Sequence, residues 1–395
     1  MYRRSYSGSF NRPKNHFRKF SFQKRGVTSK IHVSQYIKKA QVNSTQETQA
    51  STRSFSNLQI ETILKNNLSR RGFTNLTAIQ EKTIDHILEG KDVVGIANTG
   101  TGKTAAFLIP LLNKITKNRS NKIIIIVPTR ELAMQIRDEM RAFSQSMNIY
   151  STLCIGGDNI RNQIYDLRRN PNFVIGTPGR LKDLIERKCL WLDQYGTVVL
   201  DEVDRMLDMG FIHDIKYLIA LLPKNRQTLF FSATLSQEIN TLMQSFLNNP
   251  VSISVKVQDT AHNVEQDIVR IHPGAQKMDT LETLLKKDDF KKVLIFGRTK
   301  HGVERLSTNL YKKGFKVASI HGDKPQSKRT QAIRLFKEDV VNILVATDVA
   351  SRGIDITDIT HVINYDQPAT YDDYIHRIGR TGRANKKGVA LTFID

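Results

Sequence analysis

The aliphatic run Val93–Ile96 passes without a break into Ala97-Asn98-Thr99-Gly100-Thr101-Gly102-Lys103-Thr104, and an apolar helical stretch follows at once. This junction constrains the chain more than any other stretch. A strand that ends in glycines and restarts as a helix must turn sharply, and Gly100 and Gly102 can take positive φ at little cost. Successive backbone N–H groups then point inward, and the positive end of a helix starting near Lys103 adds to their field, so the turn reads as a phosphate cradle. The pattern is Gly-x-x-x-x-Gly-Lys-Ser/Thr, with Ala97 standing where the first glycine would be. In such a cradle Lys103 reaches the β and γ phosphates of a nucleotide and the Thr104 hydroxyl holds Mg²⁺. The plainer alternative is a Gly/Thr-rich turn with no ligand.

Beyond the turn, short apolar runs alternate with helical patterns. Strands are predicted at Val93–Ile96, Lys122–Val127, Thr152–Ile155, Phe173–Ile175, Thr197–Leu200 and Leu229–Phe231. Alternation of this kind builds a parallel sheet with helices on both faces, and a run such as Ile123–Val127 suits a strand buried on both sides. Near Val251–Glu265 the rhythm pauses and polar residues gather, so a linker is placed at 256–265. A second series then starts, with strands predicted at Ile268–Ile271, Val293–Phe296, Val317–Ile320, Ile343–Ala346, His361–Asn364 and Val389–Phe393. The fold class is therefore α/β, with two tandem domains at 53–255 and 266–395, and the 395 residues suffice for two cores. Ligands of such sheets sit at the carboxyl ends of the strands.

A net charge of +22 implies a polyanionic partner, either nucleic acid or an anionic membrane surface. No stretch approaches the roughly 18 apolar residues of a membrane span, and no signal-like block lies near the N-terminus. A soluble, cytoplasmic protein is expected. Cys154 and Cys189 have no metal-ligand spacing around them and read as reduced structural thiols. Up to Thr52 the chain holds eleven Lys/Arg and one acid, Glu47, with rings at Tyr2, Tyr6, Phe10, Phe17, Phe20 and Phe22. Too few aliphatics are present to build a core, so 1–52 is expected to be a disordered basic arm, with a short helical piece at Val33–Ala40. Such an arm suits RNA; a solubility tail and a transit peptide share its composition.

Two further clusters carry chemistry. Val198-Val199-Leu200 leads into Asp201-Glu202-Val203-Asp204, placing acids at a strand's carboxyl end. Asp201 suits a metal, held through water, and Glu202 suits the orienting or deprotonation of an attacking water. The alternative is a solvated acidic helix start. In the second domain, His376–Arg383 reads HRIGRTGR, and Arg380 and Arg383, each beside a glycine, suit a phosphate better than a core. A surface ion pair is their plainer reading.

Six strings now stand in order: ANTGTGKT, PTREL at Pro128–Leu132, TPGR at Thr177–Arg180, DEVD, SAT at Ser232–Thr234, and HRIGRTGR. From about Phe55 onward the chain resembles the DEAD-box ATP-dependent RNA helicases. Val203 replaces their usual Ala, and Leu76 and Ala78 flank Thr77 where the family favours prolines. The resemblance implies two RecA-like domains, with ATP and Mg²⁺ as cofactors and RNA, not a membrane, as partner. It implies adenine reading by Phe73, Thr77 and Gln80. It implies RNA-backbone contacts at Thr129, Arg130, Gly156, Gly157, Thr177, Gly179 and Arg180, and at Arg298, Thr299, Gln326, Arg329, Thr347 and Asp348. Ser232, Thr234 and His376 would couple the nucleotide to domain closure, Gly353 and Asp355 would touch the nucleotide, and Arg380 and Arg383 would complete the catalytic site. An ATP-gated RNA clamp and a DNA-directed helicase stay open as other classes.

Overall fold

The computed structural model describes residues 31–39, 53–98, 100–255, 263–271, 274, 276–351, 356, 358–382 and 387–394. Thr99, Gly353, Asp355 and Arg383, singled out above, lie outside the described residues, as does most of the arm.

Seven strands form the first sheet: β1 (Val93–Ala97), β2 (Ile123–Ile126), β3 (Ser151–Cys154), β4 (Phe173–Gly176), β5 (Thr197–Leu200), β6 (Gln227–Ser232) and β7 (Val251–Val255). Their spatial order is β3-β4-β2-β5-β6-β1-β7, and every pairing is parallel. The four isoleucines of β2 show why the sheet has two covered faces. Ile123 and Ile125 enter one core with Phe107, Ile136 and Phe143, while Ile124 and Ile126 enter another with Leu181, Leu218 and Ile239. β-branched side chains on every position fit a strand pressed from both sides. The helix Arg130–Phe143 lays Leu132, Ile136, Met140 and Phe143 along one buried stripe, and Thr129 caps it by accepting from the Leu132 N–H at 3.2 Å.

The second sheet comprises β8 (Val264–Arg270), β9 (Val293–Phe296), β10 (Val317–Ile320), β11 (Ile343–Ala346), β12 (His361–Asn364) and β13 (Gly388–Ile394). It is again parallel, in the order β10-β11-β9-β12-β13-β8. Among the described residues no helix is long and apolar enough to cross a membrane.

Two sequence expectations need correction. Val251–Val255, read as part of the pause between domains, is β7, an edge strand paired along its length with β1. Residues 31–39 do not behave as a separate arm. They include a short 3-10 helix, Val33–Tyr36, inside the expected helical piece, and they pack on the second domain, with Tyr36 only 2% exposed in its core. The buried thiol of Cys154 is pushed up to about 12 by desolvation, as suits an inert structural cysteine.

Candidate functional site

Strand order gathers the motifs. β1, β6 and β5 are neighbours, so the glycine-rich loop, the SAT string and the DEVD acids leave the sheet side by side at its carboxyl edge. Along the same edge lie the ends of β2, β4 and β3, which lead to Thr129 and Arg130, to Thr177, Gly179 and Arg180, and to Gly156 and Gly157. The two groups of residues thus divide one edge between them.

Gly100 and Gly102 do take positive φ, at 84° and 92°, and the helix Lys103–Lys117 starts immediately behind them. The Lys103 ammonium is buried and donates to the Ala97 carbonyl at 2.7 Å, and the Thr101 hydroxyl donates to the Asn98 carbonyl at 2.8 Å. Thr104 lies in the first turn of the helix, half-buried. Gln80 is tied to this loop. Its Oε1 accepts from the Thr77 N–H at 2.9 Å, its Nε2 donates to the Gly102 carbonyl at 3.1 Å, and a Cβ on Gly102 would strike its amide. The Gln80 amide therefore holds the phosphate loop and must turn away to read a base. Phe73 stands edge-on between Phe55 and Phe143, with centroids 5.6 and 5.2 Å away, so part of its ring is committed to packing.

Asp201 is 2% exposed. Burial raises its pKa to about 7, with Lys103 opposing the shift and Glu202 adding to it. Its Oδ1 accepts from the Glu202 N–H at 2.9 Å. Glu202 itself has φ 53°, a left-handed conformation that a residue with a Cβ adopts only under constraint, and this turns the chain into the helix Val203–Asp208. Its carboxylate is fixed by a buried ion pair with Arg205 at 3.1 Å. Asp204 joins the acids to the SAT string: its Oδ2 accepts from the Ala233 and Thr234 N–H groups at 3.1 and 3.2 Å and from the Thr234 hydroxyl at 3.5 Å. Ser232 is buried and its hydroxyl has no partner among the described residues. Sequence reading gave Asp204 and Arg205 no role of their own, although the Glu202–Arg205 spacing is that of neighbours on a helix face.

Further along the edge, the Arg130 guanidinium lies against Gly156 and Gly157, where a Cβ on either glycine would meet it. Burial lowers the Arg130 pKa, and the nearby Arg329 and Arg180 add to the effect. Arg180 donates to Gln163 Oε1 at 2.9 Å, and Gln163 in turn donates to the Ile155 carbonyl at 2.9 Å. Thr177 precedes Pro178 at the start of the helix Pro178–Glu186, and Gly179 faces open space. These residues form one positive ledge.

The second domain brings Arg329 and Gln326 to the same ledge, though not as free RNA binders. Glu131, 5% exposed, accepts from Gln326 Nε2 at 2.9 Å and pairs with Arg329 at 2.8 Å, so a carboxylate of one domain holds two side chains of the other. Gln326 Oε1 and Arg329 Nε stay buried without a partner among the described residues. Asp348, also expected on RNA, is gripped bidentately by Arg377 at 2.6 and 2.7 Å, and Arg377 further donates to the Asp366 carbonyl at 2.6 Å and covers the Phe296 ring. Thr347 packs at the start of the helix Asp348–Ser351. Arg298 and Thr299 are exposed at the end of β9, with Thr299 capping the helix Lys300–Lys312. His376 sits half-buried on the helix Tyr371–Ile378, and Arg380 is buried just past its end. Glu131 and Arg377 fall inside quoted strings, yet neither position alone discloses its partner.

Two parallel-sheet domains, the first with a glycine-lysine-threonine loop beside buried acids, define a two-domain nucleotide-dependent enzyme. The family model for DEAD/DEAH box helicases matches residues 77–242, and that for the helicase conserved C-terminal domain matches 276–385. The ATP-dependent RNA helicase CshA of Listeria monocytogenes is 46% identical over 343 residues, covering 86% of this chain and 66% of that protein. The DEAD-box ATP-dependent RNA helicase CshA of Bacillus subtilis is 44% identical over 345 residues, covering 87% and 70%. The chain spans about two thirds of the length of these curated relatives. Among solved structures, Saccharomyces cerevisiae Dbp5 bound to RNA and ADP BeF3 matches with TM-score 0.76 and 31% identity, covering 86% of this chain and 89% of that one. Mss116p bound to ssRNA and AMP-PNP matches with TM-score 0.78 and 32% identity, covering 88% and 76%. The chain belongs to the family of DEAD-box ATP-dependent RNA helicases, and its two domains are RecA-like.

Proposed function

We propose that this chain binds ATP and the backbone of RNA together, separates short RNA duplexes by closing its domains around one strand, and hydrolyses ATP to release it. The observation that carries this reading is Glu131. It sits on the carboxyl edge that also holds the phosphate loop, and its carboxylate is shared by Gln326 and Arg329 of the other domain. A ligand on the ledge beside it therefore bears on how the domains meet, and the acids at the end of β5, the strand next to β2, share the sheet with it.

In this reading the loop amides of Ala97 to Gly102 and the Lys103 ammonium hold the β and γ phosphates, Gln80 and Thr77 read adenine with Phe73 beside the ring, and Glu202, aimed by Arg205, orients the attacking water. Arg380 and Arg383 balance the charge that develops on the phosphates, and Gly353 and Asp355 serve the same nucleotide. The DEVD string can serve in place of the family's usual sequence, since Val203 faces the core while Asp201 and Glu202 carry the acids of the site and Asp204 ties them to the SAT string.

The donor set suits magnesium. Asp201 offers a buried carboxylate near Lys103 and Thr104 a hydroxyl, while no group of three or more His, Cys, Asp or Glu is assembled among the described residues. Mg²⁺ takes few protein ligands and completes its shell with phosphate oxygens and water. When bound, it would neutralise charge on the phosphate oxygens. A cytoplasmic setting is inferred from the two free cysteines, of which one is a buried inert thiol.

The test is ATP hydrolysis by the purified chain with poly(U) RNA, with a DNA of matching sequence, and with neither, paired with release of a short labelled RNA duplex. RNA alone should stimulate turnover and the duplex should open. Equal stimulation by DNA overturns the RNA reading, and turnover without duplex release leaves a clamp.

A further inference from the structure

The described part of the N-terminal region, Ile31–Lys39, has a place in the second domain that no motif assigns it. Tyr36 enters that domain's core beside Val264, Ile378 and Ala390, and its ring meets Tyr374 edge-on at 4.9 Å between centroids. Two residues on, Lys38 adds to the open edge of the sheet: its N–H donates to the Gln266 carbonyl at 2.9 Å, and the Gln266 N–H donates back to the Lys38 carbonyl at 2.8 Å. Gln266 is clasped a second time, because its side-chain Oε1 accepts from the Tyr374 hydroxyl at 3.0 Å. Backbone pairing at a sheet edge combined with a buried ring is how extended peptides dock on domains, and here the peptide is the chain's own.

What the docked segment touches gives it a role beyond covering an edge. Tyr374 lies on the helix Tyr371–Ile378; burial raises the Tyr36 pKa and keeps it a neutral phenol, and Arg377 of the same helix is near enough for its charge to oppose that shift. Arg377, one turn along the same buried face, ties the helix to Asp348, to the Asn364 side chain at the end of β12 and to the Asp366 carbonyl beyond it. Arg380 follows within one turn, buried. The helix is thus held along one buried face by Arg377 and by Tyr36 acting through Tyr374, and the chain leaving it carries the arginines.

We propose that Ile31–Lys39 is a strap bracing the helix Tyr371–Ile378, and that Tyr36 is a positioning residue for Arg380. The inference rests on the reading of that arginine as a group that meets the triphosphate. Removing the strap lets the turn after the helix wander, which costs rate in the transition state while leaving ATP binding to the first domain intact.

The experiment compares the full chain with chains lacking residues 1–30 or 1–40, and with Tyr36→Ala and Tyr36→Phe, in ATP turnover at saturating ATP and poly(U). Loss of 1–40 and Tyr36→Ala should each lower kcat about fivefold or more with KM for ATP within about twofold, while loss of 1–30 and Tyr36→Phe should stay within about twofold of the full chain in kcat. A synthetic peptide spanning Ile31–Lys39 should restore kcat to the chain lacking 1–40. If Tyr36→Ala and loss of 1–40 lower only the thermal midpoint and leave kcat within about twofold, the strap merely covers the edge and the proposal is overturned. Arg380→Ala separates the two readings. If it leaves kcat unchanged, the assignment of the arginine fails by itself. If it abolishes turnover while Tyr36→Ala has no effect, the strap alone fails.

Discussion

At the scale of single residues, the acids after β5 divide the chemistry by environment. Glu202 is aimed by Arg205 and by its own left-handed backbone, so Glu202→Gln keeps the shape and an oxygen for Arg205 to bond, while it removes the proposed base and the charge that pairs with Arg205. Turnover with saturating RNA should fall by about three orders of magnitude, while ATP-dependent RNA binding persists or lengthens. Single-turnover ATP cleavage and filter binding on the same preparation check this; cleavage at the parent rate would refute the assignment. Asp201 carries a different consequence. Its folded pKa of about 7 lies above the 3.8 of the free side chain, so between those values the native state keeps a proton that the unfolded chain has lost. Stability of the metal-free, nucleotide-free protein should therefore fall as pH rises through that window. Asp201→Asn removes the buried charge. It should abolish turnover yet be more stable than the parent at pH 8, by at most about 4 kcal/mol, and so melt at a higher temperature, and the two should converge near pH 4. Thermal melts at both pH values decide; a variant that melts lower at pH 8 contradicts the account.

Secondary elements show why parts of this molecule are legible in the sequence. β5, β9, β10, β11 and β12 coincide end to end with the predicted strands. β9 and β11, Val-Leu-Ile-Phe and Ile-Leu-Val-Ala, are fully buried in the middle of their sheet and read as unbroken apolar runs, while β5, β10 and β12 keep enough apolar residues between turn signals to stand out. β7 escaped because no position of Val251–Val255 is fully buried and its exposed serines alternate with the apolar residues, so the stretch read as a pause. The motif strings were legible by order, but the pairing of Asp348 with Arg377, or of Gln326 with Glu131, depends on elements distant in sequence. Tyr36 was hidden in a basic stretch whose other rings give no sign of a core. The loop after β3 offers a test at this scale. Gly157 has φ 77° and lies under the Arg130 guanidinium, so Gly157→Ala strains the backbone and pushes the arginine off the ledge. RNA affinity should drop about tenfold while KM for ATP without RNA is unchanged, since β3 lies at the opposite end of the sheet from β1. Fluorescence anisotropy with a labelled single strand measures the first and steady-state kinetics the second.

For the whole molecule the question is what joins the domains when both ligands are present. Among the described contacts between the RecA-like domains, Glu131 with Gln326 and Arg329 is the buried polar cluster, and it stands where the ledge of one domain meets the other. A buried ion pair adds little to stability compared with apolar packing, because desolvation offsets most of the attraction, but it is costly to break on one side only. Such a pair therefore selects one relative placement of the domains and penalises others. The consequence is testable by exchanging the charges. Glu131→Arg alone places three guanidinium groups together, Arg130, Arg329 and the new one, and Arg329→Glu alone faces two carboxylates. Each should reduce RNA-stimulated turnover by about tenfold or more while leaving the small RNA-independent rate and the melting of each domain near the parent values. The double exchange restores opposite charges across the interface, and it should recover part of the lost stimulation, with a coupling of about 1–3 kcal/mol in the cycle. Additive losses in the double variant would mean that the two side chains act separately, each on RNA, and that the domains close without this pair.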